Sequence, residues 1–207
     1  MPIPTTNATQ ELPAVNQILA SVGQAPVTTL DQTNPDVAIA YDTLLQVSKE
    51  VQAEGWTYNQ EFEYEIVTNN NKEYEIPNNM LQIDFSESYK GNIDPVRRDG
   101  KIYDRYNHTY TLGTTAGDAF KVDVVWFFDW IDLPAPVQNY IVAKAATIAA
   151  QRIIGDPQLI QTLQQREALA RANALEYECN QGDFTIFGHP EGNRHYTSYK
   201  PYTALQR

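Results

Sequence analysis

The sequence predicts an α+β protein: a four-helix bundle with a β-rich insertion between its second and third helices, and an extended C-terminal tail. Three observations carry that reading. Apolar residues recur every three or four positions near both ends of the chain, they alternate with polar residues in its middle, and beyond residue 182 glycine, proline and asparagine interrupt every period. The expected layout is a flexible N-terminal arm at 1–10, a helical bundle from 11–56 and 133–181, the insertion at 57–132 and the tail at 182–207.

A first helix is expected over about residues 11–22. Leu12, Val15, Leu19 and Val22 form one stripe, Pro13 falls in the first turn, and Gly23 suits the left-handed position just past the end. After the break "QAP", the run "TNPD" supplies Asn34 as an N-cap, Pro35 at the first helical position and Asp36 where the helix dipole favours an acid. The stripe Val37, Ala40 or Tyr41, Leu44, Val47 and Val51 then runs toward Gly55, about twenty residues or roughly 30 Å.

"EFEYEIV" (61–67) and "EYEI" (73–76) alternate acid with apolar residues and read as two strands around "TNNNK". That alternation sets Glu61, Glu63 and Glu65 on one face and Phe62, Tyr64 and Ile66 on the other, half-buried one. "VRRDGKIYDR" places Asp99-Gly100 between two short extended runs, as a type I′ hairpin turn requires. "KVDVVWFF" (121–128), rich in β-branched and aromatic residues, predicts a more buried strand. Helix signals return at "DLPAPV", with Asp132 as the expected cap and Val137, Ile141, Ala145 and Ile148 running to Gly155. In "GDPQ", Asp156 caps a last helix that Pro157 opens, over about 157–180, striped by Leu159, Leu163, Ala170, Ala174 and Tyr177.

At 207 residues the chain can bury roughly 70% of its unfolded surface. It has no apolar run near eighteen residues, so no membrane span is expected. The opening "MPIPTTNATQ" lacks the basic start and apolar stretch of a secretory signal, which makes a reducing compartment the expectation. Cys179 stands alone, excluding an internal disulfide or a cysteine-cluster zinc site, and reads as a small buried residue on a helix. The formal charge of −11 opposes a protein that grips duplex DNA, which needs clustered Lys and Arg. From 133 onward acids and bases nearly balance, so a partner preferring a neutral or basic surface would dock there.

Glu61, Glu63 and Glu65 would cluster with Glu73 and Glu75 if their strands paired. A cell-wall or polysaccharide hydrolase would use two such carboxylates, but one must sit in an apolar pocket, and a calcium site needs a loop that wraps the ion. Neither context shows in the sequence, which leaves a solvated face. His108, His189 and His195 lack metal-site spacing, and no nucleophile elbow, phosphate loop or dinucleotide fingerprint is present. No catalytic residue, metal or cofactor is therefore expected. A carbohydrate-binding module would display Trp126 or Trp130, yet their place beside an apolar strand favours core packing. The tail is rich in aromatics for a segment without helical period: Phe184, Phe187, Tyr196, Tyr199 and Tyr202 read as anchors for a partner.

"ELPAVNQILASVGQAPVTTL" (11–30), "EGWTYN" (54–59) and "GKIYDR" (100–105) resemble the tail tubular protein A family of short-tailed bacteriophages. Ala14, Val15, Asn16, Ile18, Leu19, Gly23, Pro26, Val27 and Leu30 follow its pattern, as do Gly55, Trp56 and Asn59, and Tyr103, Asp104 and Arg105 in the third stretch. Residues 61–95 and the tail depart from it. The resemblance implies a structural head-to-tail adaptor of the virion rather than an enzyme. It implies a ring of twelve copies between the portal protein and the tail nozzle, a tail tubular protein B-like partner, with support for a tail fibre and no membrane. Genome DNA would pass through the channel without specific binding, and assembly would take place in the host cytoplasm. The portal is then the expected partner of the aromatic tail.

Overall fold

The computed structural model describes residues 8–85, 95–113 and 117–182. In chain order these form α1 (Ala8–Ser21), α2 (Pro35–Gln52), β1 (Gln60–Val67), β2 (Met80–Phe85), β3 (Pro95–Arg98), β4 (Lys101–Asp104), β5 (Ala119–Trp126), a 3-10 turn (Trp130–Asp132), α3 (Ala135–Ile153) and α4 (Pro157–Gly182). The architecture is α+β, with the β insertion between α2 and α3.

α2 starts where the sequence places it, the Asn34 side chain accepting the Asp36 amide at 3.0 Å. α1 ends in two reverse hydrogen bonds, Gly23 N–H to Ala20 and Gln24 N–H to Leu19, which satisfy carbonyls the helix would otherwise orphan. α3 is the central helix and packs against α1, α2 and α4. Its alanine-rich face lets the backbones approach: Ala145, Ala149 and Ala150 are buried beside Val137, Tyr140 and Ile141. At the far end of the bundle Val22, Ala150 and Leu163 close a small cluster, and Asp156 caps α4 by accepting the Gln158 amide at 3.0 Å.

Two capping and burial expectations need correction. Asp132 does not cap α3. It closes the 3-10 turn, and α3 begins from Pro134, whose carbonyl accepts the amides of Val137 and Gln138 at 3.0 Å. Cys179 is exposed, because α4 turns Ala174 and Glu178 inward and position 179 lies about 100° further round the helix.

In the insertion, β1, β5 and β2 form an antiparallel sheet in that order, and β3 pairs with β4. Asp99 (φ 51°) and Gly100 (φ 71°) are both left-handed, the conformation of a type I′ turn. Residues 73–76 form isolated bridges rather than a ladder strand: Tyr74 with Thr68, Glu73 with Thr111, Glu75 with Lys101. Their backbone ties the β3–β4 hairpin to the sheet, since Ile102 N–H reaches Tyr74 and Ile76 N–H reaches Gly100. Ile66, Tyr74, Met80, Ile102, Phe120, Val122, Val124 and Trp126 fill the core of this part.

β1 departs from simple alternation. Glu61 pairs with Val124 and Tyr64 with Val122, so two residues oppose the single Asp123, and Glu63 takes a positive φ of 54°. Asp123 Oδ1 accepts the Glu63 amide that this bulge frees, at 2.8 Å. Residues directly opposite in an antiparallel pair share a face. Glu61 therefore lies on the face of Val124, while Glu65, opposite Lys121, lies on the other. The expected single face of Glu61, Glu63 and Glu65 does not form. Phe62 and Tyr64 are exposed rather than half-buried, and of their set only Ile66 is buried.

Candidate functional site at the bundle–insertion junction

The chain leaves the bundle after α2 and returns to it after β5, and one cluster of buried amides binds these two crossings together. Gln52, the fully buried last residue of α2, donates from Nε2 to the Phe128 carbonyl (3.1 Å) and to Ser48 Oγ (3.1 Å), while its Oε1 accepts the Phe128 amide at 2.8 Å. One side chain thus satisfies both backbone groups of Phe128, and the Phe128 ring touches the hydrophobic cores of bundle and insertion alike. Asn59 works the same way. Its Oδ1 accepts the Trp56 amide (2.8 Å), and its Nδ2 donates to the carbonyls of Gln52 (2.8 Å) and Trp126 (2.9 Å). The Trp126 amide donates to the Asn59 carbonyl at 2.8 Å. Trp56 buries its ring in the bundle core and donates Nε1 to the Val51 carbonyl at 2.7 Å.

Gly55 lets the backbone take this corner without strain. Its φ is +79°, and a Cβ there would stand 2.5 Å from Gln60 Nε2. The end of α4 is clipped to the same corner, Glu178 accepting the Thr57 amide (2.8 Å) and the Thr57 hydroxyl (3.0 Å) on its two oxygens. The neighbouring Tyr58 hydroxyl is buried without a hydrogen-bond partner, and burial, together with the charge of Glu178, pushes its pKa well above the ordinary tyrosine value. In this low-dielectric setting satisfied amides rigidify, so bundle and insertion are held as one block.

The other family-like residues lie in two further places. Asn16 clamps the loop after α1, donating to the Val27 carbonyl (3.0 Å) and accepting the Val27 amide (2.8 Å). Val27 and Leu30 thereby pack on the bundle core, while Pro26 is exposed between them and Gly23. In the insertion, buried Asp104 accepts the Tyr106 amide (2.9 Å) and Asn107 Nδ2 (2.6 Å), holding the turn after β4. Tyr103 lies under Arg98 at 4.1 Å and edge-on to Tyr110 at 4.8 Å, and Arg105 is exposed. Phe184, Phe187, Tyr196, Tyr199 and Tyr202 lie outside the described residues, as do His189 and His195, whereas His108 is exposed in the turn after β4.

Of the five glutamates that hydrolase chemistry would draw on, Glu61, Glu63, Glu73 and Glu75 are engaged individually. Glu61 accepts Trp126 Nε1 at 3.0 Å, Glu63 faces Lys121 at 3.4 Å and Glu75 accepts Asn69 Nδ2 at 2.8 Å. Glu73 pairs with Lys101 at 2.6 Å, and that hydrogen bond holds its pKa below the ordinary value. A hydrolase needs one acid shifted the other way, so the geometry lends that reading no support. Trp126 packs in the core of the insertion, and Trp130 is half-buried against the bundle core. Among the described residues no group of three or more His, Cys, Asp or Glu could hold a metal ion, and no helix is long and apolar enough to cross a membrane.

Sequence reasoning singled out Trp56 and Asn59 but passed over Gln52 and Glu178. Ser48 and Gln52, polar residues one helical turn apart beside the apolar stripe of α2, were the available signal; nothing local marks Glu178, whose partner is 121 positions away. A family model described as tail tubular protein matches residues 12–184, a stretch that takes in the bundle, the insertion and the whole junction. No curated protein matches the chain.

Proposed function

The chain belongs to the tail tubular protein family and so is a structural component of a phage tail; from that premise we propose that it acts as the head-to-tail adaptor. In this reading twelve copies close into a ring between the portal protein and the tail nozzle, genome DNA passes through the central channel, and the outer surface supports a tail fibre. Assembly takes place in the host cytoplasm.

The observation that supports this most directly is the amide-braced junction. A ring under the load of passing DNA must keep its shape, and a protomer that hinged between bundle and insertion would not. Gln52 and Asn59 bond both crossings of the chain, so neither part can swing without breaking several buried hydrogen bonds. The charge of −11 supports the same reading, because a conduit that bound phosphates strongly would stall what passes through it. The aromatic tail from Phe184 to Tyr202 is the portal contact.

Electron microscopy of the full chain mixed with its cognate portal tests the proposal. The expected result is a ring on each portal with twelve subunits in end-on views, lost when the chain is truncated after Gly182 although circular dichroism keeps its helical signal. Portals left bare by the full chain would overturn the adaptor reading. Normal attachment of the truncated chain would overturn the role given to the tail.

A further inference from the structure

Among the described residues β1 is an outer strand of its sheet, with β5 on one side only. Exposed apolar side chains gather on it: Phe62 is 49%, Tyr64 38% and Val67 54% accessible, interleaved with Glu61, Glu63 and Glu65. Such an edge is a template for another strand unless it is protected. The bulge at Glu63 protects its first half, but from Tyr64 to Val67 the register with residues 119–122 is regular. Lys121 faces Glu63 and offsets part of the local negative charge. What remains is a short acidic edge with aromatic and aliphatic surface.

The complementary segment is in the same chain. Residues 192–207 carry Arg194, Lys200 and Arg207, no acid, and the aromatics Tyr196, Tyr199 and Tyr202. α4 also delivers that segment to the right place. It starts at the far end of the bundle and ends at the junction, where Glu178 is bonded to Thr57, three residues before β1 begins. Gly182 is four residues further on, about 6 Å along the helix. From there residues 183–193 span up to roughly 36–40 Å when extended, more than the roughly 26 Å length of an eight-residue strand.

We propose that residues 194–200 dock along the outer edge of β1 in the same copy, adding a strand beside Tyr64–Val67 with Arg194 and Lys200 on the face that carries Glu65. The functional consequence rests on the reading of the tail as the portal contact: the docked tail is held in store, and the portal displaces it on attachment.

Disulfide trapping tests the docking without the portal, so it can fail independently of the adaptor reading. In a Cys179→Ser background, Val67→Cys and Ser198→Cys are combined in the full chain and oxidised mildly at low micromolar concentration. An intramolecular disulfide in most molecules is expected, with the yield falling at least five-fold when Arg194→Glu and Lys200→Glu are added. Absence of the disulfide, a dimer linked between copies, or a yield indifferent to the two charge reversals would each overturn the proposal. Trypsin provides a second measurement that needs no engineered cysteine. Cleavage after Arg194 should be about ten-fold faster in Glu65→Lys/Val67→Lys than in the unaltered chain, and equal rates would overturn the proposal. Cognate portal should lower the disulfide yield, and an unchanged yield on portals that carry the protein would overturn the storage role.

Discussion

Asn59 uses both amide donors and its carbonyl on backbone groups from three separate segments, a role no other side chain of its size can fill in the same geometry. Asn59→Ala would leave the Trp56 amide and the carbonyls of Gln52 and Trp126 short of partners in the interior. A loss of about 3 kcal/mol is expected, at roughly 1–3 kcal/mol for each buried group left unmade. It is read from urea unfolding followed by tryptophan fluorescence, and a loss below about 1 kcal/mol would show that the junction is not braced by this residue. Glu11 is the opposite kind of residue. It is buried in the first turns of α1 with one carboxylate oxygen lacking any partner; burial raises its pKa, the hydrogen bond with Tyr41 of α2 opposes the shift, and the charge of Asp129, just before the 3-10 turn, adds to it. A folded-state pKa above the unfolded value means that the neutral acid is the stabilising form. That contribution is complete below the unfolded pKa and is lost as pH rises through the folded one. Glu11→Gln removes the ionisation, so the variant should be more stable than the unaltered chain at neutral pH and lose less stability between acidic and neutral pH. Thermal unfolding across that range checks this, and identical pH profiles for the two chains would refute it.

Elements whose boundaries are set by local chemistry were legible in the sequence, and those set by distant partners were not. Asn34-Pro35 and Asp156-Pro157 start α2 and α4 because cap and proline act within one helical turn. Asp132 misled because two prolines crowd the start of α3, and the chain completes a 3-10 turn before Pro134 offers the first carbonyl. The face of β1 misled more deeply: its acid–apolar alternation is perfect, yet the bulge opposite Asp123 moves Glu61 and Glu65 to different faces. That bulge depends on a strand sixty positions away. The β3–β4 turn belongs to the legible class, and its prediction is correspondingly sharp. Nothing lies within 4 Å of a Cβ added at Gly100, so the opposition to Gly100→Val comes chiefly from the positive φ of 71°. The expected cost is about 1–2 kcal/mol, the penalty for a left-handed L-residue. It should appear as faster proteolysis of the insertion with the helical signal unchanged. Unaltered protease resistance would mean that the hairpin tolerates another turn.

At the scale of the whole molecule the fold class was legible because hydrophobic period changes twice along the chain, whereas the stiffness of the block was not, since it resides in a few amides that bond across the junction. Net charge was readable from the start, and in the proposed ring it governs how copies meet. Each carries −11, and the three glutamates of β1 contribute to it. Copies brought together in the proposed ring must repel one another at long range, with a range of about 30 Å at 0.01 M salt and about 8 Å at physiological ionic strength. Raising salt within that interval should therefore speed association, the reverse of what a ring held by exposed ion pairs would do. Replacing Glu61, Glu63 and Glu65 by Gln takes the charge from −11 to −8. The variant should assemble faster at low salt and depend less on it, while losing the Lys121 pairing and keeping an acceptor for Trp126 Nε1. Light scattering of assembly at two ionic strengths measures both effects. Association that slows with added salt would place attractive charge pairs at the contacts between copies. A purified preparation that degraded cell wall or capsule and lost that turnover in the triple variant would assign those glutamates to chemistry instead.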